Sequence, residues 1–193
     1  MLIIYNVAQR CPKQTAFQLQ LSALHPLLHC SSLPIRVLSK SVFAFIANYR
    51  DVSDITTLSL ESDEAKFFTD EFCGCIGSGS TSASSLNISG KELLYSLKCL
   101  TSLPFNTTCF SVPGMLDTVS TLCSHDDKTI AKLALEVLWN ISMEPTAALA
   151  ILCHESVIGI LKRMSVFSCG LAKITRNVLW ILGYGNVTGE QET

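Results

Sequence analysis

Apolar residues along this 193-residue chain recur at helical spacing. In the stretch ALEVLWNISMEP, Ala134 to Pro145, the residues Leu135, Leu138 and Ile141 are three positions apart, which places them on one helix face. We find no convincing run in which apolar and polar residues alternate, as they do in a half-buried strand. The pattern therefore predicts an all-α protein.

Proline and capping residues mark where several helices are expected to begin. Pro34 and Pro113 stand at such places, because the first turn of a helix tolerates a missing amide proton. The stretch SHDD, Ser124 to Asp127, offers capping side chains before a helix that is expected to begin near Thr129.

A four-residue phrase recurs along the chain. The phrase LWNI, Leu138 to Ile141, aligns with phrases that begin at Ile4, Ile46, Leu100 and Leu179. Successive copies are 42, 54, 38 and 41 residues apart. The longest interval contains a Gly/Ser-rich stretch, residues 74–90, which predicts a flexible loop inserted into an otherwise regular period.

Each interval has room for two or more helices. In the last one, apolar residues at helical spacing, including Leu149, Leu152 and Leu161, precede a second apolar run from Leu171 to Leu182. A unit of about forty residues cannot bury its apolar face alone, whereas stacked copies share a continuous core. The chain is therefore predicted to form stacked helical units within a single domain, residues 1–193.

The phrase LALEVLWNIS, the period and the helix order resemble armadillo-type repeats, with HEAT repeats as close relatives. The resemblance covers nearly the whole chain and implies a right-handed α-solenoid. The chain opens at Leu2–Val7 on a phrase that matches only the last helix of a unit. We therefore expect it to be part of a longer array.

The resemblance also implies a concave binding groove lined by the last helix of each unit. Asn140 projects away from the face that carries Leu138 and Ile141. The equivalent positions hold Asn6, Asn48, Ser102 and Ile181. An amide both donates and accepts hydrogen bonds, which suits the backbone of an extended bound segment. The alternative is that these asparagines lie on a hydrated helix face or hold a neighbouring loop.

One departure from the family concerns the position one turn earlier. Importin-like armadillo grooves carry tryptophan there, whereas this chain has Leu2, Ala44, Lys98, Glu136 and Asn177. The difference argues against a groove for basic nuclear-import signals. The polar residues at this earlier position, Lys98, Glu136 and Asn177, complete the predicted partner-binding set. Trp139 and Trp180 are interpreted as rings that pack between adjacent units, with ligand contact as the alternative.

Composition narrows the classes of partner and the compartment. The net charge is −2 and the 14 Lys and Arg residues are scattered, so we expect neither nucleic acid nor a membrane as partner. Most of the nine cysteines, among them Cys99, Cys123 and Cys153, lie in apolar helical patterns and fit a reducing compartment. We expect no secretory leader, which favours the cytoplasm and leaves the nucleus open.

Two stretches invite a chemical interpretation. CHES, Cys153 to Ser156, lists a nucleophile and a base, but successive helix residues point about 100° apart, so Cys153 cannot bond to His154. HPLLH has the spacing of a zinc pair, but Pro26 occupies the glutamate position and no third ligand is evident. We therefore expect no metal and no cofactor.

Three functions are weighed on these grounds. The favoured one is a non-catalytic scaffold that binds a protein segment along the concave surface of the helical array. The second is a structural or regulatory segment attached to a signalling domain such as a TIR or death-fold domain, because armadillo-like arrays are often joined to such domains. The third is a cysteine-dependent enzyme that uses a distant His25, His29 or His125. The partner's identity and the oligomeric state are not indicated.

Overall fold

The computed structural model describes residues 1–49, 58–77, 88–103, 106, 114–166 and 170–184. Every regular element within these ranges is helical, so the all-α prediction is confirmed. The helices are α1 (Leu2–Arg10), α2 (Pro12–Gln18), α3 (Leu21–Leu24), α4 (Leu33–Ile46), α5 (Ser62–Gly77), α6 (Gly90–Thr101), α7 (Met115–Cys123), α8 (Lys128–Ser142), α9 (Pro145–Leu152), α10 (Glu155–Val166) and α11 (Gly170–Ile181). A short 3-10 helix, His25–His29, precedes α4.

The chain divides into two compact units, Met1–Cys109 and Phe110–Thr193. The first contains α1 to α6 and the second contains α7 to α11. A single domain spanning residues 1–193 stays a prediction, and the two units are described separately.

Local sequence accounts for how several helices begin. Pro34 lies in the first turn of α4, as predicted. The carboxylate of Asp127 caps α8 by accepting a hydrogen bond from the Thr129 amide at 2.7 Å, which confirms the predicted start. Helix α6 begins with a reciprocal capping box between Ser89 and Glu92. Pro113 lies outside the described residues.

In the first unit, α4 is the central helix. It packs against both α1 and α6, and α5 contacts both α4 and α6. An aromatic series links the three: the ring centroid of Phe45 on α4 lies 5.4 Å from that of Tyr5 on α1 and 5.5 Å from that of Tyr95 on α6. The Tyr5 hydroxyl also hydrogen-bonds Ser96 Oγ at 2.6 Å. These contacts tie α1, α4 and α6 together.

A buried ionic cluster joins α4 to α5. Glu64 on α5 is fully buried, and its carboxylate accepts hydrogen bonds from Lys40 Nζ at 2.6 Å and Arg36 Nε at 3.2 Å. The amide of Glu61 donates to the same carboxylate at 2.9 Å. Arg36 pairs in addition with Asp63. The buried charge is thus compensated from several directions, as a buried carboxylate requires.

In the second unit, α8 and α11 lie side by side. Helix α8 packs against α7 and α11, while α10 packs against α11 and α7. The short helix α9 connects α8 to α10 and contacts both. Val137, Leu138 and Ile141 of α8 are fully buried, as are Val178 and Leu179 of α11. These residues form the shared core of the two helices.

The recurring phrase has a regular burial pattern. Its first residue is fully buried in four copies, at Ile46, Leu100, Leu138 and Leu179. The exception is Ile4, which is half-buried because α1 places the adjacent Tyr5 in the core instead. The core positions predicted from the repeat are therefore confirmed in α4, α6, α8 and α11 and shifted by one residue in α1.

Two local predictions need correction. Helix α5 continues to Gly77 and α6 begins at Gly90, so the ends of the predicted loop at residues 74–90 belong to helices, while residues 78–87 lie outside the described residues. The capped, amphipathic segment that begins at Ser62 propagates as a helix into the glycine-containing stretch. Leu149 and Leu152 are not core residues, because α9 is short and turns them outward; Leu149 is 60% exposed.

Among the described helices, none taken singly has the length and apolarity to span a bilayer. Helices α9 and α10 satisfy those two criteria only as a pair, and they are bent by 88° at their junction.

Candidate functional site

The seven predicted partner-binding residues fall into two sets, one in each unit. Asn6, Asn48, Lys98 and Ser102 belong to the first unit, on or just after α1, α4 and α6. Glu136, Asn140 and Asn177 belong to the second unit, on α8 and α11. Within each unit, the helices that carry these residues are packed neighbours. The structure thus gathers each set on a common group of adjacent helices.

All seven side chains are at least partly accessible to solvent. Asn48 and Ser102 are exposed at the carboxyl ends of α4 and α6, and the other five are half-buried. Leu138 and Ile141 are fully buried, whereas Asn140 between them is half-buried. Accessibility is a minimum requirement for a residue that contacts a partner.

Several of these residues already make local interactions. The Ser102 hydroxyl donates to the Cys99 carbonyl at 2.6 Å, and the Lys98 ammonium lies 5.6 Å from the centroid of the Tyr95 ring. Glu136 pairs with Lys132, one turn earlier on α8, at 3.7 Å. Ion pairs near the surface, such as Lys132–Glu136, contribute about 0–1 kcal/mol, so a partner can replace them at low cost.

The two tryptophans of the chain belong to the same helix pair, α8 and α11. Trp180 is 70% exposed and Trp139 is half-buried. The interpretation of Trp180 as a ring packed between units is therefore wrong. Val178 and Leu179 occupy the core, and the next residue along a helix points about 100° away from its predecessor. Trp180 is directed outward for that reason.

Residues 131–139 and 172–180 share the pattern Ala-Lys-x-x-x-x-Val-Leu-Trp, so a lysine stands seven positions before each tryptophan. A separation of seven residues is close to two helical turns, which puts lysine and tryptophan on one face. We call the set Lys132, Glu136, Trp139, Lys173, Asn177 and Trp180 the Lys–Trp face. Glu136 and Asn177 were predicted as site residues, whereas the lysines and tryptophans were not.

A Ser-His-Asp arrangement occurs at the start of α10. His154 Nδ1 lies 3.1 Å from Ser156 Oγ, and His154 Nε2 lies 3.5 Å from a carboxylate oxygen of Asp117 on α7. In serine hydrolases the orienting aspartate is buried, whereas Asp117 is 62% exposed here. Water competes for each of these polar groups, so the arrangement fits a surface link between α7 and α10.

The described cysteines occupy contrasting environments. Cys123 on α7 is fully buried, and its burial raises the pKa of the thiol well above its ordinary value, which suppresses the reactive thiolate. Cys153 is exposed at the end of α9, so the expectation that it fills an apolar core is wrong. The imidazole of the next residue, His154, contacts the Ser156 hydroxyl through Nδ1.

His25 and His29 lie on the 3-10 helix with their ring centroids 6.3 Å apart. Across the described ranges, no group of three or more His, Cys, Asp or Glu side chains is arranged to hold a metal ion.

No family model, no curated protein and no solved structure matches this chain.

Proposed function

We propose that this chain is a non-catalytic interaction scaffold that binds a protein segment along the exposed faces of stacked, armadillo-like helical repeats. In this proposal the repeated helices form a right-handed α-solenoid, and the residues outside their shared core contact the partner.

The observation that carries the proposal is the pairing of repeated helices. The helices that carry the recurring phrase are direct neighbours within each unit: α1 with α4, α4 with α6, and α8 with α11. Their first phrase residues are buried between them in four of five copies. Side-by-side stacking of equivalent helices is what a repeat array requires, because each copy covers its neighbour's apolar side.

The residues left outside the core suit recognition of a polypeptide backbone. Asn6, Asn48 and Asn140 carry primary amides at equivalent positions of the phrase and are half-buried or exposed. Each can donate to a carbonyl and accept from an amide, so it binds a peptide group whatever the neighbouring side chain. Such contacts provide affinity, while other side chains near each asparagine select the sequence.

A peptide pull-down with the Asn48→Ala, Asn140→Ala double variant tests this function. Each lost hydrogen bond is expected to cost about 1 kcal/mol, so peptides retained by the wild type should bind the variant about 10- to 30-fold more weakly. The matched control replaces two exposed amides on other elements, Gln14→Ala and Gln20→Ala, and should bind as the wild type does. Binding that is unchanged in the double variant, with its helical content intact, would contradict the proposal.

A further inference from the structure

We propose that the Lys–Trp face on α8 and α11 binds an acidic protein segment that places apolar side chains between its carboxylates. This inference rests on the proposed function and specifies the chemistry of the partner. It starts from the placement of two equivalent lysine and tryptophan pairs on helices that pack against each other.

The charges of the two helices favour an anionic partner. Helices α8 and α11 carry four cationic residues, Lys128, Lys132, Lys173 and Arg176, and a single carboxylate, Glu136. That carboxylate is held 3.7 Å from Lys132, whose side chain remains more than half exposed. Lys173 is also exposed. The two helices therefore carry a net positive charge although the whole chain is slightly acidic.

Charges of both signs lie on the neighbouring helices. On α10, Lys162 lies 4.5 Å from the centroid of the Tyr184 ring, just beyond α11, and Arg163 is exposed. Arg176 reaches the Ser165 carbonyl at 3.5 Å, which directs its guanidinium towards the end of α10. The carboxylates of Glu155 at the start of α10 and Asp117 on α7 are also exposed, and they lie outside the Lys–Trp face.

The spacing on each helix fits an extended chain. Seven residues along a helix correspond to about 10 Å, which is the length of about three residues of an extended polypeptide. A segment that runs along either helix can place a carboxylate near the lysine and an apolar side chain near the tryptophan about three residues away. Tryptophan offers a large apolar ring with one donor, and such rings frequently dominate the energy of protein interfaces.

An anionic membrane is the other surface that exposed lysine and tryptophan could meet. Helices that lie in a membrane interface insert their apolar face between the lipids. The apolar faces of α8 and α11 are already used in the core, where Leu138 and Leu179 are fully buried. What remains exposed is a polar face with single rings, which suits a protein segment better than a lipid surface.

Selection from a random 12-residue peptide library displayed on phage tests the inference without a known partner. The whole chain is immobilised, and the selected peptides are expected to be enriched in Asp and Glu together with apolar residues. A selected peptide is then synthesised without tryptophan and titrated into the protein. Both tryptophans of the chain lie on the Lys–Trp face, so a change in intrinsic tryptophan emission reports contact with this face directly.

Removing the lysine charges should weaken peptide binding, whereas removing the Glu136 charge should strengthen it. Lys132→Ala with Lys173→Ala should weaken binding about tenfold, because each exposed charge contact contributes up to about 1 kcal/mol. Glu136→Gln should strengthen binding about two- to fivefold, because it removes the anion that competes for Lys132. The matched control, Lys13→Ala with Lys66→Ala, removes two exposed lysines of the first unit and should leave binding unchanged.

Each contrary result has a distinct meaning. Peptides without acidic enrichment, or peptides that bind equally to the Lys132→Ala, Lys173→Ala variant, would overturn the inference and leave the proposed function standing. A library that yields no binding peptide would overturn both. A change in tryptophan emission with vesicles of phosphatidylserine and phosphatidylcholine, combined with peptide binding that does not involve the lysines, would favour a lipid surface and overturn the inference.

Discussion

Glu64 is the residue on which the joint between α4 and α5 most depends. Its fully buried carboxylate accepts hydrogen bonds from Lys40 and Arg36 and from the Glu61 amide. Removing one partner from such a cluster leaves an uncompensated buried charge, whereas replacing both by apolar residues of similar size removes the problem. The cluster therefore makes the first unit sensitive to single substitutions.

We predict that Glu64→Ala destabilises the protein by about 3–5 kcal/mol, because Lys40 would stay buried without its carboxylate. Urea unfolding followed by circular dichroism provides the measurement. The double variant Lys40→Met, Glu64→Met should lose less stability than Glu64→Ala. Glu61→Ala, which changes an exposed side chain nearby, should shift stability by no more than about 0.5 kcal/mol. A loss below about 1 kcal/mol in Glu64→Ala would show that the cluster is not formed.

Residue patterns and structure disagree most clearly at Trp180. A periodic pattern identifies the apolar side of a helix, and it correctly places Val178 and Leu179 in the core. It does not determine how far the apolar sector extends, so a large ring at its edge can be assigned to either side. The lysine that stands seven residues before each tryptophan was the available signal, because an exposed lysine marks the outer face.

At the scale of elements, Tyr5 explains how α1 is held in the first unit. The hydroxyl bonds to Ser96 Oγ at 2.6 Å and donates to the Glu92 carbonyl at 3.1 Å, both on α6. Burial is the largest influence on this phenol and raises its pKa well above its ordinary value. A raised pKa in the folded state means that Tyr5 stabilises the fold below the unfolded pKa and loses this contribution as pH rises towards the folded pKa.

We predict that Tyr5→Phe costs about 1 kcal/mol at neutral pH, since the Ser96 hydroxyl can then donate its proton to the Glu92 carbonyl. Above about pH 10 the difference from the wild type should shrink, because only the wild type must keep a buried phenol protonated. Urea unfolding at neutral and alkaline pH measures both effects. Tyr49→Phe, which changes an exposed tyrosine, should match the wild type throughout. A difference that grows with pH would contradict this account of Tyr5.

Helix boundaries were predictable where local chemistry determines them. Pro34 and Asp127 mark the starts of α4 and α8. Proline is tolerated in the first turn because no intrahelical bond needs its amide proton, and a capping carboxylate accepts from an amide of that same turn. The exposure of Leu149 was not predictable from spacing, because it depends on which neighbours a short helix meets after folding. The end of α5 at Gly77 was not predictable either, because the helix propagates from the segment that precedes the glycines.

At the scale of the molecule, the recurring phrase anticipates which helices become neighbours. Its copies lie on α1, α4 and α6 in the first unit and on α8 and α11 in the second, and within each unit consecutive copies pack together. The candidate site was only partly predictable from this phrase. The phrase identifies the helices that share a core, whereas the residues that face a partner depend on local exposure, as the two tryptophans illustrate.

The central claim is that neighbouring repeated helices present one binding surface for a protein segment. Hydrogen–deuterium exchange with a library-selected peptide, followed by mass spectrometry, tests it most directly. The account predicts that saturating peptide slows exchange in α8 (Lys128–Ser142) and α11 (Gly170–Ile181) together, while α9 (Pro145–Leu152) exchanges as in the free protein. Protection of α9 without α8 and α11, or protection of only one of the two repeated helices, would contradict the claim.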